Sequence, residues 1–377
     1  MSLTISLAVK DFSMRGVRGI VSRNIRLVAR PLNVVKLIAL SSDFNRIVPF
    51  HPHPADIMMI SVVIPTYGRP TSALECIENI LNSCYSEYEV LIVDQGPVRG
   101  LETELTARYK GMPNIRYFCL EPAGLSKARN LGLQQSRGDI VALIEDDVIV
   151  DPNWLEAIAR TFKATVPRPV LIGGRILPIW PGPKPRWFPA EREFLFGVYD
   201  IGDEARPFPE RDLPIGTNMA GLRKAIIDLG GFDEQLGPAD SRKWGMLTGE
   251  DSMLGQRCRD AGHLIYYQPT AVVWHRIPAS NLTPGYFLRR HFWEGVTVVT
   301  RLKLMGEGKT YRSVSIVLSH LCAMALAVAR TAFPLKKAQR DRPLSAAFML
   351  ALAHMASSLG AAYAAIRLRS YQDTTLI

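Results

Sequence analysis

Residues 126–147 read SKARNLGLQQSRGDIVALIEDD, and this stretch decides the fold. Ser126 stands at an N-cap position, and Ala128, Leu131 and Leu133 supply the apolar positions of a helix ending near Gln135. Asp139 to Ile144 is a short, almost wholly apolar run, which reads as a strand buried on both faces. Three carboxylates, Glu145, Asp146 and Asp147, close it.

The same alternation extends in both directions. Strands are expected at Ile57–Pro65, Tyr88–Asp94 and Ile115–Leu120, with helices at Ser72–Asn82 and Glu102–Tyr109 between them. Downstream, Asp151 is placed to cap a helix over Pro152–Phe162, with proline at its first position. Residues 178–215, rich in Pro, Trp and Phe, read as a long irregular excursion, and loops of that length are usually functional or disordered. Regular pattern resumes at Asn218–Leu229, in a helix at Asp251–Ala261 and in strands within His263–Trp274. Strands alternating with helices predict an α/β fold, a mostly parallel sheet covered on both faces, with ligands beyond the carboxyl ends of the strands.

The chain has 377 residues, enough for two domains, with 47% hydrophobic and 21% charged residues and a mean hydropathy of +0.06. Collagen-like, disulfide-scaffold and wholly disordered classes are excluded. The net charge of +10 sits at the ends: residues 1–60 carry +5 and 301–377 carry +8, leaving the middle at −3. Basic ends around an acidic body predict an anionic membrane surface as partner rather than nucleic acid, for which no motif is present. Five scattered cysteines without CxxC spacing fit a reducing compartment, and Lys10 to Arg30 interrupt any secretory apolar core. A cytoplasmic catalytic body is the expectation. Ser313–Ala329 and Leu344–Ile366 are uncharged stretches of 17 and 23 residues, readable as a membrane hairpin, as interfacial helices or as a soluble helical subdomain. Lys and Arg on both flanks of the second stretch favour shallow insertion.

Three adjacent carboxylates repel one another, so the triplet is either a solvated loop cap before Pro152 or a cation site. Asp94 ends the second strand and Pro65-Thr66-Tyr67-Gly68-Arg69 follows the first, which brings polar groups from three strands to one sheet edge, where a nucleotide would lie. No GxGxxG or GxxxxGK[ST] motif follows the first strand, so hydride transfer and P-loop chemistry lose support.

The blocks SVVIPTYGR, EVLIVDQG, GLSKARNLGLQQSRGDIVALIEDDV, NMAGLRKAIIDLGGFDE, GEDSMLGQRCRDAG and VWH occur in an order and spacing that resembles the family 2 glycosyltransferases, over roughly residues 58–300. The resemblance implies a GT-A fold over residues 57–300, between a basic extension at 1–56 and a helical, membrane-associated region at 301–377. Glu145-Asp146-Asp147 then corresponds to the DxD-type motif, with Glu where Asp is commoner. Glu145 would face the nucleoside, and Asp147 would hold a divalent cation, Mg²⁺ or Mn²⁺, bridging the donor phosphates. Pro65, Thr66, Arg69, Asp94, Lys127, Arg129 and Asp146 fall at nucleotide-side positions. His275 is a further metal ligand or phosphate contact, or a strand-end histidine satisfied by backbone.

Gly249-Glu250-Asp251 matches the ED motif. The resemblance implies Asp251 as general base of an inverting transfer and Glu250 as its support, while helix-terminal capping is the plain alternative. Trp244 stacks on a sugar or belongs to the core. Arg289-Arg290-His291-Phe292-Trp293-Glu294-Gly295 resembles a segment that approaches the donor diphosphate or acceptor in membrane-associated members, or is a basic surface helix. Asn218 and Met219 are expected only to line the site. The activity implied is transfer of a sugar from a nucleotide donor to a lipid-linked or polysaccharide acceptor at the cytoplasmic membrane face. A sugar-phosphate nucleotidyltransferase would need a GGxGxRL-type loop that is missing, and a noncatalytic scaffold on this fold would not need its carboxylates intact.

Overall fold

A computed structural model describes residues 58–96, 100–238, 246–306 and 344–370, with a few single positions between 315 and 325. The basic extension at 1–56, Trp244 and most of the 313–329 stretch lie outside the described residues.

Strand β1 (Ile60–Thr66) is buried along its whole length. It pairs in parallel with β2 (Tyr88–Asp94) on one side and β4 (Ile140–Ile144) on the other, and β2 pairs in parallel with β3 (Ile115–Cys119). Side chains on these strands alternate strictly between two cores, as the pleat requires. Ile60, Val62 and Ile64 enter one core with Val90, Ile92, Ile140 and Ala142. Val63, Leu91, Val93, Val141 and Leu143 enter the other. Helices α1 (Pro70–Leu81), α2 (Gly100–Arg108) and α4 (Trp154–Ala164) cover the first face, and α3 (Leu125–Gln135) and α5 (Arg223–Asp228) the second, joined there by α6 (Glu250–Asp260). The contact of α3 with the sheet is close enough that a methyl group on Gly132 would overlap the Val63 side chain.

The second half of the sheet departs from the parallel expectation. Its order runs β3-β2-β1-β4-β8-β6-β9-β5, with β7 (Arg206–Pro207) on β9. Strand β8 (Asn218–Leu222) is antiparallel to β4, and β6 (Leu171–Ile179) is antiparallel to β8. Strand β9 (Ile265–Arg276) is parallel to β6, while β5 (Val148–Val150) and β7 run antiparallel to β9. The architecture is therefore α/β with a mixed sheet, parallel in its first four strands. Asn218 does more than line a surface: its amide accepts from Trp154 Nε1 (2.9 Å) and donates to the carbonyls of Arg175 (3.0 Å) and Ala271 (2.8 Å). It thereby satisfies backbone groups where the β6–β9 register slips.

Two local expectations are corrected. Ser126 lies inside α3, and its hydroxyl donates to the Leu236 carbonyl (2.6 Å) instead of capping the helix. Helix α4 begins at Trp154, later than Pro152, with Asp151 accepting from the Asn153 amide (2.9 Å). The 178–215 excursion contains a 3-10 turn at Ala190–Phe196 and strand β7, and its aromatic side chains form a packed cluster. Phe188 and Phe196 join Phe287 of α7 (Pro284–Leu304) and Met349 and Ala353 of α8 (Leu344–Ser370) in a third core. Helix α8 is long and apolar enough over Leu344–Arg367 to cross a membrane by length and composition, although more than half of that window is buried within the protein.

Candidate active site

The order reversal between β1 and β4 opens a crevice at their carboxyl ends, the usual ligand position in such sheets. Thr66, the last residue of β1, donates to Asp146 Oδ2 (2.6 Å). Arg69, in the turn after β1, reaches Asp146 Oδ1 (2.5 Å) and Asp147 Oδ2 (2.6 Å). The middle carboxylate is thus a brace: Asp146 is buried, and burial pushes its pKa up to about 6 against the pull of Arg69 and Thr66. Its clamp aims the two flanking carboxylates into the crevice.

Glu145, Asp147 and His275 meet there, with one ligand atom from each lying within 4.8 Å of the others. His275 Nε2 stands 3.4 Å from Asp147 Oδ1 and 3.7 Å from Glu145 Oε2. Strand pairing makes the meeting possible, because β5, directly after the triplet, registers Val148 against His275. The other imidazole nitrogen, Nδ1, lies 3.0 Å from the Phe196 carbonyl, which fixes that nitrogen as the donor and leaves Nε2 with its lone pair toward the carboxylates. Asp147 Oδ1 is buried without a hydrogen-bond partner. An orphaned carboxylate oxygen, a second carboxylate and an imidazole held by a backbone carbonyl form a donor set of O, O and N that suits a divalent cation. Burial opposes charge on His275, but Asp147 and Glu145 outweigh it and raise its pKa above the ordinary 6.5. Asp147 is held low in return: burial pushes it up, and His275 and Arg69 overcome that.

Across the crevice, α6 starts at Glu250 after Gly249, whose φ of 97° suits glycine alone. Asp251 Oδ2 accepts from the Gly216 amide (2.9 Å), and Oδ1 from the Ser252 amide (2.6 Å). The neighbouring residue, Thr217, donates to Glu145 Oε1 (3.1 Å). Two consecutive residues before β8 therefore tie Asp251 to the triplet, and both carboxylate groups line one cleft. Glu250 turns inward to Arg129 of α3 (2.5 Å), both side chains almost wholly buried. Burial, reinforced by Asp251, pushes the Glu250 pKa up to about 7 against the pull of Arg129.

The cleft encloses about 510 Å³, and among its walls are Arg69, Glu145, Asp147, His275, Glu250 and Asp251. Helix α7 completes it, presenting Tyr286, Arg290, Glu294, Thr297 and Arg301 in one stripe. Arg290 is engaged by the Leu195 carbonyl (3.3 Å), Thr248 Oγ1 (3.4 Å) and Glu294 (3.5 Å), whereas His291 is buried against the Phe287 ring. Other nucleotide-side positions do not line this cleft. Pro65 is buried within β1, and Asp94 accepts from the Gly96 amide (2.8 Å) and the Tyr117 hydroxyl (3.0 Å) at the end of β2. Lys127 lies half-buried on α3, and Arg129 is withdrawn into its ion pair. Sequence reasoning missed Thr217, Gly216 and the Phe196 carbonyl. A Gly-Thr pair directly before the NMAGL strand was the available signal for the first two, and nothing in the sequence signals the third.

Residues 61–230 match the model of glycosyl transferase family 2. A glucosyl-dolichyl phosphate glucuronosyltransferase of Haloferax volcanii is 27% identical over 241 residues, 63% of this chain and 75% of that protein. The glycosyltransferase AglE of the same organism is 26% identical over 239 residues, 63% of this chain and 71% of that protein. Among solved structures, the mannosyltransferase PcManGT from Pyrobaculum calidifontis, in complex with GDP-Man and Mn²⁺, is 18% identical and aligns over 85% of this chain and 76% of that one, with a TM-score of 0.46.

Proposed function

We propose that this chain, a glycosyltransferase whose residues 61–230 carry the family 2 domain, is a metal-dependent inverting enzyme of GT-A type that moves a sugar from a nucleotide-sugar donor to a lipid-linked or polysaccharide acceptor. One observation carries the reading: the Glu145, Asp147 and His275 cluster and the Asp251 carboxylate line one cleft, tied through Gly216 and Thr217.

Glu145, Asp147 and His275 would hold the divalent cation, which when bound neutralises charge on the departing diphosphate. Arg69 keeps Asp147 ionised and aimed into the cleft. Asp251 takes the proton from an acceptor hydroxyl as that oxygen attacks the anomeric carbon; the bond from that carbon to the donor phosphate oxygen breaks, and the nucleoside diphosphate leaves from the opposite face. The backbone amides of Gly216 and Ser252, donating to its two oxygens, fix the orientation of Asp251. Arg129 and Glu250 act behind it, anchoring the first turn of α6. Asp94 and Lys127, outside the cleft walls, would meet the nucleoside end of the donor. The apolar α8 and the basic chain ends support work at the cytoplasmic membrane face.

The test incubates purified full-length protein with a panel of nucleotide sugars and Mn²⁺ and follows release of nucleoside diphosphate and transfer to lipid and glycan acceptors. Inversion is read from the anomeric configuration of the product. A retained configuration, or turnover that survives Asp147→Ala, would refute the mechanism.

A further inference from the structure

Helix α7 uses two opposite faces. Arg290, Glu294, Thr297 and Arg301 line the cleft, whereas Val296 and Val299 pack with Ala361 and Ala364 of α8. The two helix backbones touch where Gly295 crosses Gly360, since a methyl group on either would overlap the other helix. Helix α7 therefore stands between α8 and the cleft.

The far face of α8 is apolar and exposed. Leu344, Phe348, Met355, Leu359 and Ile366 are all exposed, Leu344 by 72% and Ile366 by 71%, and they share a ~60° arc of the helical wheel. That arc is turned away from Ala353, Gly360 and Ala364, which are buried. The stripe runs for about 33 Å at 1.5 Å per residue, and no Asp, Glu, Lys or Arg occurs in residues 345–366. A contiguous apolar face of this kind marks an interaction surface.

What stands at the two ends of the stripe indicates its occupant. At the first turn, the Ser345 hydroxyl donates to the Arg186 carbonyl (3.5 Å), which sets the loop WPGPKPRW, residues 180–187, beside Leu344. In that loop Lys184, ion-paired with Glu193, lies over the Trp180 ring (5.3 Å), and Arg186 is exposed without an acidic partner among the described residues. At the last turns the exposed Arg367 lies over the ring of Tyr363 (5.5 Å). Ser345 and Tyr363 share one edge of the stripe, so both aromatic and cationic pairs border the same side of it. Apolar groups edged by aromatic rings and arginines match the layers of an anionic lipid surface, with hydrocarbon below and phosphates above. A spanning orientation conflicts with the other side of α8. Arg192 approaches the His354 ring there (2.9 Å), and α7 brings Arg290 and Glu294 alongside. Spanning would draw those charges to membrane depth, whereas a helix lying in the headgroup layer leaves them outside the hydrocarbon.

We infer that the outward face of α8, from Leu344 to Ile366, docks in plane on an anionic lipid surface, with Arg186 and Arg367 at the level of the phosphates. Helices α8 and α7 then form a two-layer pedestal that holds the cleft about 20 Å from the lipid, at ~10 Å per helix. The inference rests on the membrane placement proposed above and is independent of the transfer chemistry.

The experiment floats the full-length protein with vesicles of phosphatidylcholine, with and without phosphatidylglycerol. The wild-type protein should bind the mixed vesicles more tightly. F348E combined with L359E should weaken binding at least about tenfold, because two large apolar side chains leave the lipid. R186A combined with R367A should lower the preference for phosphatidylglycerol about tenfold or more, at roughly fivefold per surface cation, with binding to phosphatidylcholine alone unchanged. Depth is read from the tryptophan fluorescence added by F348W and by M355W, which lipids brominated near the headgroup should quench equally. Chain-end bromines quenching M355W best would show a spanning helix and overturn the in-plane assignment. Vesicle binding that survives F348E/L359E overturns the docking face. Self-association of the wild-type protein in sedimentation, abolished by the same substitutions, would assign the face to a second copy and overturn the lipid. Circular dichroism and Mn²⁺ affinity should be unchanged in every variant, and nucleoside diphosphate release without vesicles tests the transfer reading separately.

Discussion

The Arg129–Glu250 pair allows a prediction in which stability and catalysis separate. The two side chains are 1% and 4% exposed and 2.5 Å apart, so neither charge has solvent to fall back on when its partner is removed. Glu250→Gln leaves Arg129 charged inside the body with only the Phe232 ring, 5.5 Å away, in compensation. Arg129→Met leaves Glu250 buried beside Asp251, which already raises its pKa. Breaking a buried pair from one side costs about 3–5 kcal/mol, whereas replacing both partners with apolar side chains is close to neutral. Urea unfolding followed by circular dichroism should therefore show midpoints lower by ~1–2 M in each single variant, taking a slope of about 3 kcal/mol per M. The double variant Arg129→Met, Glu250→Leu should return to within ~1 M of the wild-type protein. Its turnover should stay depressed while Mn²⁺ affinity is unchanged, because the pair orients the helix start that carries Asp251. Single variants as stable as the wild type, or a double variant with full turnover, would show that the pair anchors nothing.

Asp251→Asn is expected to abolish transfer while leaving nucleotide-sugar affinity in Mn²⁺ within about twofold, as measured by calorimetry. Asp147→Asn and His275→Ala should each weaken Mn²⁺ binding on the order of tenfold or more, read by electron paramagnetic resonance of the free ion, and retained affinity in both would dissolve the cation cluster. Mn²⁺ affinity should also depend on pH. His275 is raised above 6.5, so its contribution to stability without metal is present below that value and is lost as pH rises through its folded-state pKa; the metal needs the neutral ring, so affinity should climb with pH across the same interval and binding should release a proton. At the helix crossing, Gly360→Ala should destabilise by about 1–3 kcal/mol through overpacking against the Phe292 carbonyl, whereas Ala362→Ser on the same helix should be nearly silent in the same unfolding assay.

The parallel half of the sheet was legible because both of its faces are buried. Runs such as VVI, VLIV and IVALI contain no polar residue to confuse the period, and each odd and even position goes to its own core. Legibility failed where strands are short or diluted. Strand β5 is only three residues, hidden behind the acidic triplet, and β6 opens with LIGG, whose two glycines erase a strand signal. The antiparallel strand order depends on pairings between segments far apart in the chain, for which local pattern holds no information.

The candidate site divides along the same line. Glu145 and Asp147 stood out because three adjacent carboxylates at a strand end repel one another, and Asp251 and His275 because they fall in the GED and VWH blocks that carry the family resemblance. Residues that act by position did not. Thr217 matters only because β8 lies antiparallel beside β4 and delivers it to Glu145, and the Phe196 carbonyl only because an aromatic cluster presses the excursion against β9. Arg129 shows the converse. Two residues from Lys127 in the sequence, it reads as one of a basic pair beside a donor, yet the helical turn points it inward to Glu250 while Lys127 stays half-exposed. A charged residue near a motif is thus evidence of electrostatic work, and burial decides whether that work is done on the ligand or on the residue that meets it. By that criterion Arg69, half-exposed and bound to both Asp146 and Asp147, serves the ligand and the frame at once, whereas Arg129 serves the frame alone.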